Sequence, residues 1–279
     1  MLPKPFLDSL EGLPGFEKNA FEQVHAQGEQ ITSVRLNKYK QFDLHTHSFL
    51  NHTAPVSWCA QGVYLNERPL FVLDPLWHAG AYYVQEASSM FIQYLLDHLN
   101  MDTTSMVLDL CAAPGGKSTH LLELANISLT ALEINQERLA RVNENITRLG
   151  LSAKLLIGDA SKPELWWDKK QFDRILADTP CSATGIIRRH PDILYLRRES
   201  DFVGLKITQQ QILRSLWDLL KPGGELLYVS CSIFPEEGEE QIQLFLEEHP
   251  NALRLNSLNQ LLPSEWHDGF FYGKLQKLT

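Results

Sequence analysis

The stretch MVLDLCAAPGGKSTHLLEL, residues 106–124, joins a short apolar run to a helical pattern through a glycine-rich turn. Met106–Leu110 reads as a buried strand, Pro114-Gly115-Gly116 as a tight turn and Lys117–Leu124 as a helix. The alternation repeats downstream. Leu129–Ile134, Lys154–Ile157, Phe172–Ala177 and Glu225–Val229 read as strands, with helices over Gln136–Leu149, Phe202–Leu220 and Glu236–Glu248. This predicts an α/β, doubly wound sheet. Upstream, PKPFLDSLEGL and NAFEQVHAQ read as short helices, ITSVRLN as a strand, and Gln41–Ala79 as loop-rich. Residues 1–80 are therefore expected to form a small N-terminal α/β subdomain packed on a main domain over 81–279.

The 279 residues are 44% hydrophobic and 21% charged, which excludes a collagen-like or wholly disordered chain. Four cysteines (Cys59, Cys111, Cys181, Cys231) show neither a CxxC pair nor zinc-ligand spacing. The N-terminus is acidic and broken by Pro and Gly, unlike a signal peptide, and no apolar run approaches the roughly 20 residues of a membrane span. A soluble, cytoplasmic monomer with reduced thiols is expected. The net charge of −9 argues against gripping nucleic acid by bulk electrostatics. It is unevenly placed, however. Residues 188–214 carry six basic side chains against three acidic ones, whereas 225–248 carry seven Glu and no Lys or Arg.

In open α/β sheets ligands sit beyond the carboxyl ends of the strands. Those ends here carry Asp109 to Lys117, Glu133, Gly158-Asp159, Asp178 to Cys181, and Ser230-Cys231-Ser232. Capping chemistry explains any one of them more readily than all five. The turn is not a P-loop, because Cys111 stands where that motif needs glycine, nor is it G-x-G-x-x-G. Glu133, about 20 residues on, is placed for ribose hydroxyls and Asp159 for an adenine amino group. An adenosine ligand without pyrophosphate fits this pattern, and S-adenosylmethionine is the candidate. Either of Cys181 and Cys231 alone reads most simply as a buried structural thiol. As a pair beside a methyl donor, they suggest a thiolate adding to an electron-poor double bond, and hence pyrimidine C5 methylation.

VLDLCAAPGGKSTHL (107–121), ALEINQERL (131–139), GDA (158–160), DTPCSATGIIRRHPDI (178–193) and YVSCSIFPEEGEEQI (228–242) together resemble the successive motifs of the RNA cytosine-5 methyltransferase family. That family includes bacterial 16S rRNA enzymes and Sun/Nop-type proteins. GAYYVQEASS (80–89) and SVRLN (33–37) match its lead-in. The resemblance implies a Rossmann-like S-adenosylmethionine methyltransferase sheet. It implies Cys231 as the nucleophile at cytosine C6, and Cys181 as the group that helps remove the C5 proton and release product. Asp178 would hold the cytosine N3/N4 edge, and Lys117 would orient substrate and polar neighbours. Cys111, Ala112, Ala113, Pro114, Gly115, Gly116, Lys117, Glu133, Asp159 and Asp178 would frame the cofactor, with Arg138 a further cofactor-side candidate. Glu133 stands where the family commonly has Asp, Ser230 where it has Thr, and Thr179 where it has Ala or Val.

RNA is the expected partner, rRNA ahead of tRNA, with Arg188, Arg189, Arg197, Arg198 and Arg35 as phosphate contacts. Trp166-Trp167 and Tyr82-Tyr83 offer rings for base stacking, although core packing explains at least one of each pair. The helical N-terminal and C-terminal RNA-binding extensions of two family branches have no counterpart in these residues. Recognition is then expected to rest on the first 80 residues and the catalytic face, or the chain is a fragment. A non-catalytic RNA-binding or assembly factor on the same fold is the alternative, against which both cysteines speak. Asp43, His45 and His47 form a D-x-H-x-H pattern, but no strand precedes it and the other histidines are scattered. No metal is expected.

Overall fold

A computed structural model describes residues 2–26, 31–40, 50–95, 101–255 and 259–279. The Asp43–His45–His47 pattern lies outside these residues. Helices α1 (Lys4–Asp8) and α2 (Lys18–Ala26) lead into β1 (Thr32–Leu36), β2 (His52–Pro55) and β3 (Gly62–Leu65). A short α3 (Pro75–His78) then precedes β4 (Tyr82–Val84). The four strands form an antiparallel sheet in the order β2-β3-β1-β4. Strands of four residues, with a register shift between His52 and Pro55, leave too little alternation to read, so the stretch expected as loop contains β2, β3 and α3. β4 is bonded to β1, so the first sheet continues beyond Gly80 to Val84.

The second sheet carries the anticipated alternation. Its elements are β5 (Met106–Leu110), α4 (Gly116–Leu124), β6 (Ser128–Glu133), α5 (Gln136–Arg148), β7 (Lys154–Ile157) and β8 (Phe172–Asp178). They continue with α6 (Ile193–Leu196), α7 (Glu199–Leu219), β9 (Leu220–Ser230) and α8 (Glu239–Glu248). Three strands not anticipated from the sequence follow: β10 (Ala252–Leu255), β11 (Gln260–Leu261) and β12 (Phe270–Lys277). The order is β10-β12-β9-β8-β5-β6-β7, with β11 beside β12. The five strands β9, β8, β5, β6 and β7 are parallel, and β12 runs antiparallel to β9. From β5 the chain winds first toward β7 and then back through β8, so the order reverses at β5. That reversal opens the crevice in which such sheets bind ligands.

Alternate residues of each central strand feed two cores. Val107 and Leu129 pack under α4 and α5 with Leu121, Leu139 and Val142. Leu108 and Leu110 pack under α7 and α8 with Leu213, Leu216 and Phe245. A period of two along the strands and of 3.6 along the helices is the pattern that buries both faces of a parallel sheet.

The first sheet is fastened to the second by buried polar contacts. Asn37 Nδ2 donates to the carbonyls of Gly80 and Leu149 at 2.9 and 3.0 Å. The Arg148 guanidinium donates to Trp77 O at 2.6 Å and lies 3.9 Å above the Trp77 ring. Arg35, expected to contact RNA, is fully buried. It forms an ion pair with Glu123 of α4 and donates to Tyr83 Oη at 2.9 Å. A guanidinium stripped of water needs such a partner and cannot also reach a phosphate, so Arg35 is a fastening residue. Tyr82 and Tyr83 are buried beside it and present no ring for stacking. Among the described residues, no helix is long and apolar enough to cross a membrane.

Candidate active site

At the end of β5 the chain turns sharply, with Cys111 at φ 52° and Gly115 at φ 104°. Gly115 caps α4, and a β-carbon there would lie 3.3 Å from the Val142 backbone of α5. Glycine supplies both the left-handed conformation and the close approach. Ala112 N donates to Leu132 O at 3.1 Å, and Asn145 Nδ2 donates to Pro114 O at 2.8 Å. The Cys111–Gly116 turn is thus laid across the ends of β5 and β6. Lys117 follows on the first turn of α4.

Glu133 ends β6 and is nearly fully buried; it accepts from Ala113 N at 3.4 Å and Asn135 N at 3.2 Å. Arg138 Nη1 lies 3.3 Å from it. The longer carboxylate reaches back onto the glycine-rich turn. Asp159, beyond β7, accepts from Ser161 N and Oγ at 2.9 and 2.7 Å, and the Ser161 hydroxyl holds its carboxyl below the usual range. Trp166 packs on Gly158 and donates to Asp159 O at 2.8 Å, so this ring supports the turn rather than waiting for a base. Asp178 ends β8 and receives the Lys117 ammonium at 2.7 Å. Burial works against that ammonium, but Asp178 beside it keeps its pKa above the ordinary lysine value.

Asp109 is fully buried behind these groups and bonded to Ser118 Oγ, while its Oδ1 has no hydrogen-bond partner within the protein. Burial, and then the nearby Asp178 charge, push its carboxyl up to about 7, against the Ser118 bond. Burial and the Asp178 and Glu133 charges push the Cys111 thiol up to about 12. Four carboxyl groups (Asp109, Glu133, Asp159, Asp178) thus meet three nearby cations (Lys117, Arg138, Lys162). Carboxylates at the ends of β6, β7 and β8 suit a nucleoside bearing a positive charge better than a pyrophosphate, which fits a sulfonium cofactor. The Asp109 shift has a measurable consequence. A carboxyl raised from about 3.9 in the unfolded chain to about 7 stabilises the fold at low pH and loses that contribution as pH rises through 7. Asp109→Asn should therefore gain stability relative to wild type between about pH 5 and pH 8, read from urea midpoints. A difference that is flat or of opposite sign would contradict the burial assignment.

Beyond β8 and β9 lie the two thiols. Cys181 Sγ and Cys231 Sγ are 3.2 Å apart, half-buried and hydrogen-bonded. The bond to Cys181, then burial and the Asp178 charge, raise the Cys231 thiol well above its ordinary value, and the Lys117 ammonium opposes them. The structure therefore brings together Cys181, Cys231, Asp178 and Lys117 at one place on the sheet edge.

The basic run does not stay together. Arg188 is almost wholly buried, donating to Ser264 O at 2.8 Å and pairing with Asp268 at 3.2 Å. Arg189 pairs with the other Asp268 oxygen at 2.5 Å. Both hold the C-terminal segment; Arg188 is too deeply buried to meet a phosphate, whereas Arg189, a third exposed, shares the same single carboxylate. Arg197 is exposed but donates to Ser182 O at 3.0 Å and Cys181 O at 3.4 Å, so it braces the thiol turn. Lys206 pairs with Glu240 at 2.8 Å and Arg214 with Glu248 at 2.6 Å. Arg198 is exposed, with its backbone N–H bonded to Asp201. Sequence reading also passed over Ser182, Thr184, Ser232, Gln209 and Glu237, whose buried side chains bond to one another around the thiols. The signal available was the Cys-Ser pair that both motifs share.

The family model for the 16S rRNA methyltransferase RsmB/F matches residues 94–276, and that for the N-terminal domain of 16S rRNA methyltransferase RsmF matches residues 2–87. Ribosomal RNA small subunit methyltransferase B of Serratia proteamaculans (strain 568) is 47% identical over 203 residues, covering 70% of this chain and 47% of that protein. The chain spans about half the length of the curated relatives it matches. A methyltransferase homolog protein from Pyrococcus horikoshii superposes with TM-score 0.75 at 27% identity, over 99% of this chain and 100% of that one. NSun6 from Pyrococcus horikoshii with SFG superposes with TM-score 0.82 over 100% and 99%, and at 18% identity it shares the fold.

Proposed function

The chain belongs to the 16S rRNA methyltransferase RsmB/F family, and on that premise we propose that it methylates C5 of a cytosine in 16S rRNA, using S-adenosylmethionine and a covalent bond from Cys231 to C6. The observation that carries this reading is the pair of thiols 3.2 Å apart beside the Lys117–Asp178 ion pair. Cytosine C5 is a poor nucleophile until a group adds at C6, and a thiolate is suited to that addition. The four-carboxylate edge frames the cofactor, with Glu133 for the ribose and Asp159 for the adenine. The cofactor supplies an electrophilic methyl group.

Asp178, steadied by Lys117, receives the N3/N4 edge of the base, and the ammonium offsets charge that develops there during attack. Cys231 adds to C6 and moves electron density to C5. After transfer, Cys181 takes the C5 proton, and the returning electron pair expels Cys231. The base must leave its stack to reach the thiols, which favours loops or opened helices. Labelled S-adenosylmethionine incubated with unmodified 16S rRNA, tRNA and DNA should place label in 16S rRNA, with 5-methylcytosine located by bisulfite sequencing. No 5-methylcytosine in any pool refutes the reading, and label confined to tRNA moves the substrate.

The raised Cys231 thiol sets the pH dependence. Its neutral form dominates near pH 7, so the reactive fraction grows as pH rises. The logarithm of kcat/KM should climb with a slope of about one up to and beyond the ordinary thiol range near pH 8.5. A plateau below about pH 7 would mean an acidic nucleophile and contradict this environment.

A further inference from the structure

Each cysteine is followed by a serine, and the two serines meet. Ser182 Oγ lies 3.3 Å from Ser232 Oγ, and Thr184 Oγ1 lies 3.2 and 3.1 Å from these two hydroxyls. Beneath them sits the carboxylate of Glu237, 1% exposed. It accepts from the Ser182 backbone N–H at 2.8 Å, from the Ser182 hydroxyl, and from Gln209 Nε2 at 3.2 Å. Gln209 Nε2 also donates to Pro180 O at 2.9 Å. The residues before and after Cys181 are therefore both tied to one carboxylate, directly or through one amide. Glu237 is itself fixed, since Tyr228 Oη donates to its backbone carbonyl at 2.8 Å. A carboxylate this deep is tolerated only when donors surround it, and here those donors belong to the thiol turn.

We infer that Glu237 is a positioning residue for the thiol pair: through Ser182, Thr184 and Ser232 its carboxylate holds the Cys181 turn against the Cys231 turn so that the two sulfurs face each other. The inference rests on the proposed chemistry for its catalytic consequence, but not for its geometry. The acidic run PEEGEE hides this role in the sequence, where Glu237 looks like one of several solvated carboxylates.

Phenylarsine oxide tests the geometry without RNA or cofactor, because its arsenic takes two nearby thiols and loses its oxygen as water. Wild-type protein should bind one arsenical across Cys181 and Cys231, identified by peptide mapping. Glu237→Leu removes every acceptor and should slow capture on the order of tenfold or more. Glu237→Gln keeps an oxygen for the Ser182 N–H and should recover most of that loss, which a merely space-filling role would not require. In the methylation assay Glu237→Leu should lower kcat while KM for S-adenosylmethionine stays within about twofold, since uniform cofactor binding is untouched. Folded Glu237→Leu protein that captures at the wild-type rate overturns the inference. Should that variant fail to fold, Thr184→Val decides: slower capture supports the inference and unchanged capture overturns it. Wild-type protein that captures arsenic but methylates nothing refutes the functional reading alone and leaves Glu237 to the arsenical result.

Discussion

Cys181→Ala protein given RNA and S-adenosylmethionine is expected to accumulate as a covalent protein–RNA adduct, visible as a retarded band on denaturing gels, whereas Cys231→Ala forms neither adduct nor product. The asymmetry follows from the roles proposed for two sulfurs only 3.2 Å apart. Without Cys231 no group is available to add at C6, and C5 never becomes nucleophilic. Without Cys181 addition and methyl transfer still proceed, but the C5 proton has no base and Cys231 cannot be expelled. Removing a positioned base lowers turnover by roughly 10²–10⁴-fold, enough for the intermediate to outlast the gel. The substitution also removes the hydrogen bond that is the first cause of the raised Cys231 thiol, so addition near pH 7 should not suffer. Adduct formed by Cys231→Ala in place of Cys181→Ala would reverse the two assignments.

The catalytic half of the fold was legible because its strands end where their chemistry begins. β5 and β7 fall where the alternation placed them, and β6, β8 and α5 differ by a residue at their ends. Glycine, carboxylate and thiol mark the strand ends, and these local signals survive without knowledge of partners. β12 left no comparable mark. FFYGKLQK mixes apolar and basic residues around Gly273, whose missing side chain makes room for Ile242. Its pairing with β9 is antiparallel and distant in sequence, so no crossover helix announces it.

Charge was the poorest guide, for a related reason. The basic run over 188–214 and the acidic run over 225–248 are separate blocks along the chain. In the structure α7 and α8 lie side by side and the runs partly neutralise each other, Lys206 with Glu240 and Arg214 with Glu248, each pair 34 residues apart. Arg188 and Asp268 are 80 residues apart. A sequence displays charges in order along the chain; burial and partners are settled across it. Two isolated surface pairs contribute little to stability, but they make the local charge less one-sided than the sequence displays it.

Gly185→Ala is the second substitution expected to silence the protein, by displacing the thiols without touching them. Gly185 N donates to Cys231 O at 2.9 Å, and Gly185 O accepts from Gly269 N at 2.9 Å, so this one residue spaces the two turns. An added β-carbon would stand 2.1 Å from Gly269 O and 2.8 Å from Cys231 O. Both obstacles are backbone, and no side-chain rotation relieves them. The methyl group fits only if the Gly269 backbone gives way and the turn carrying Cys231 moves away from the turn carrying Cys181. Misplacement of reacting groups by about 1 Å can cost on the order of 100-fold in rate. Methyl transfer by Gly185→Ala should fall at least that far, with arsenical capture falling alongside. Binding of S-adenosylmethionine at the Cys111–Gly116 turn should change little. Gly204→Ala supplies the control: it lies within α7, nothing stands within 4 Å of an added β-carbon, and alanine should stabilise the helix by up to ~1 kcal/mol. Gly185→Ala at wild-type activity would show that the spacing of the two turns tolerates what the proposed attack and elimination do not, and the paired-thiol mechanism would have to be abandoned.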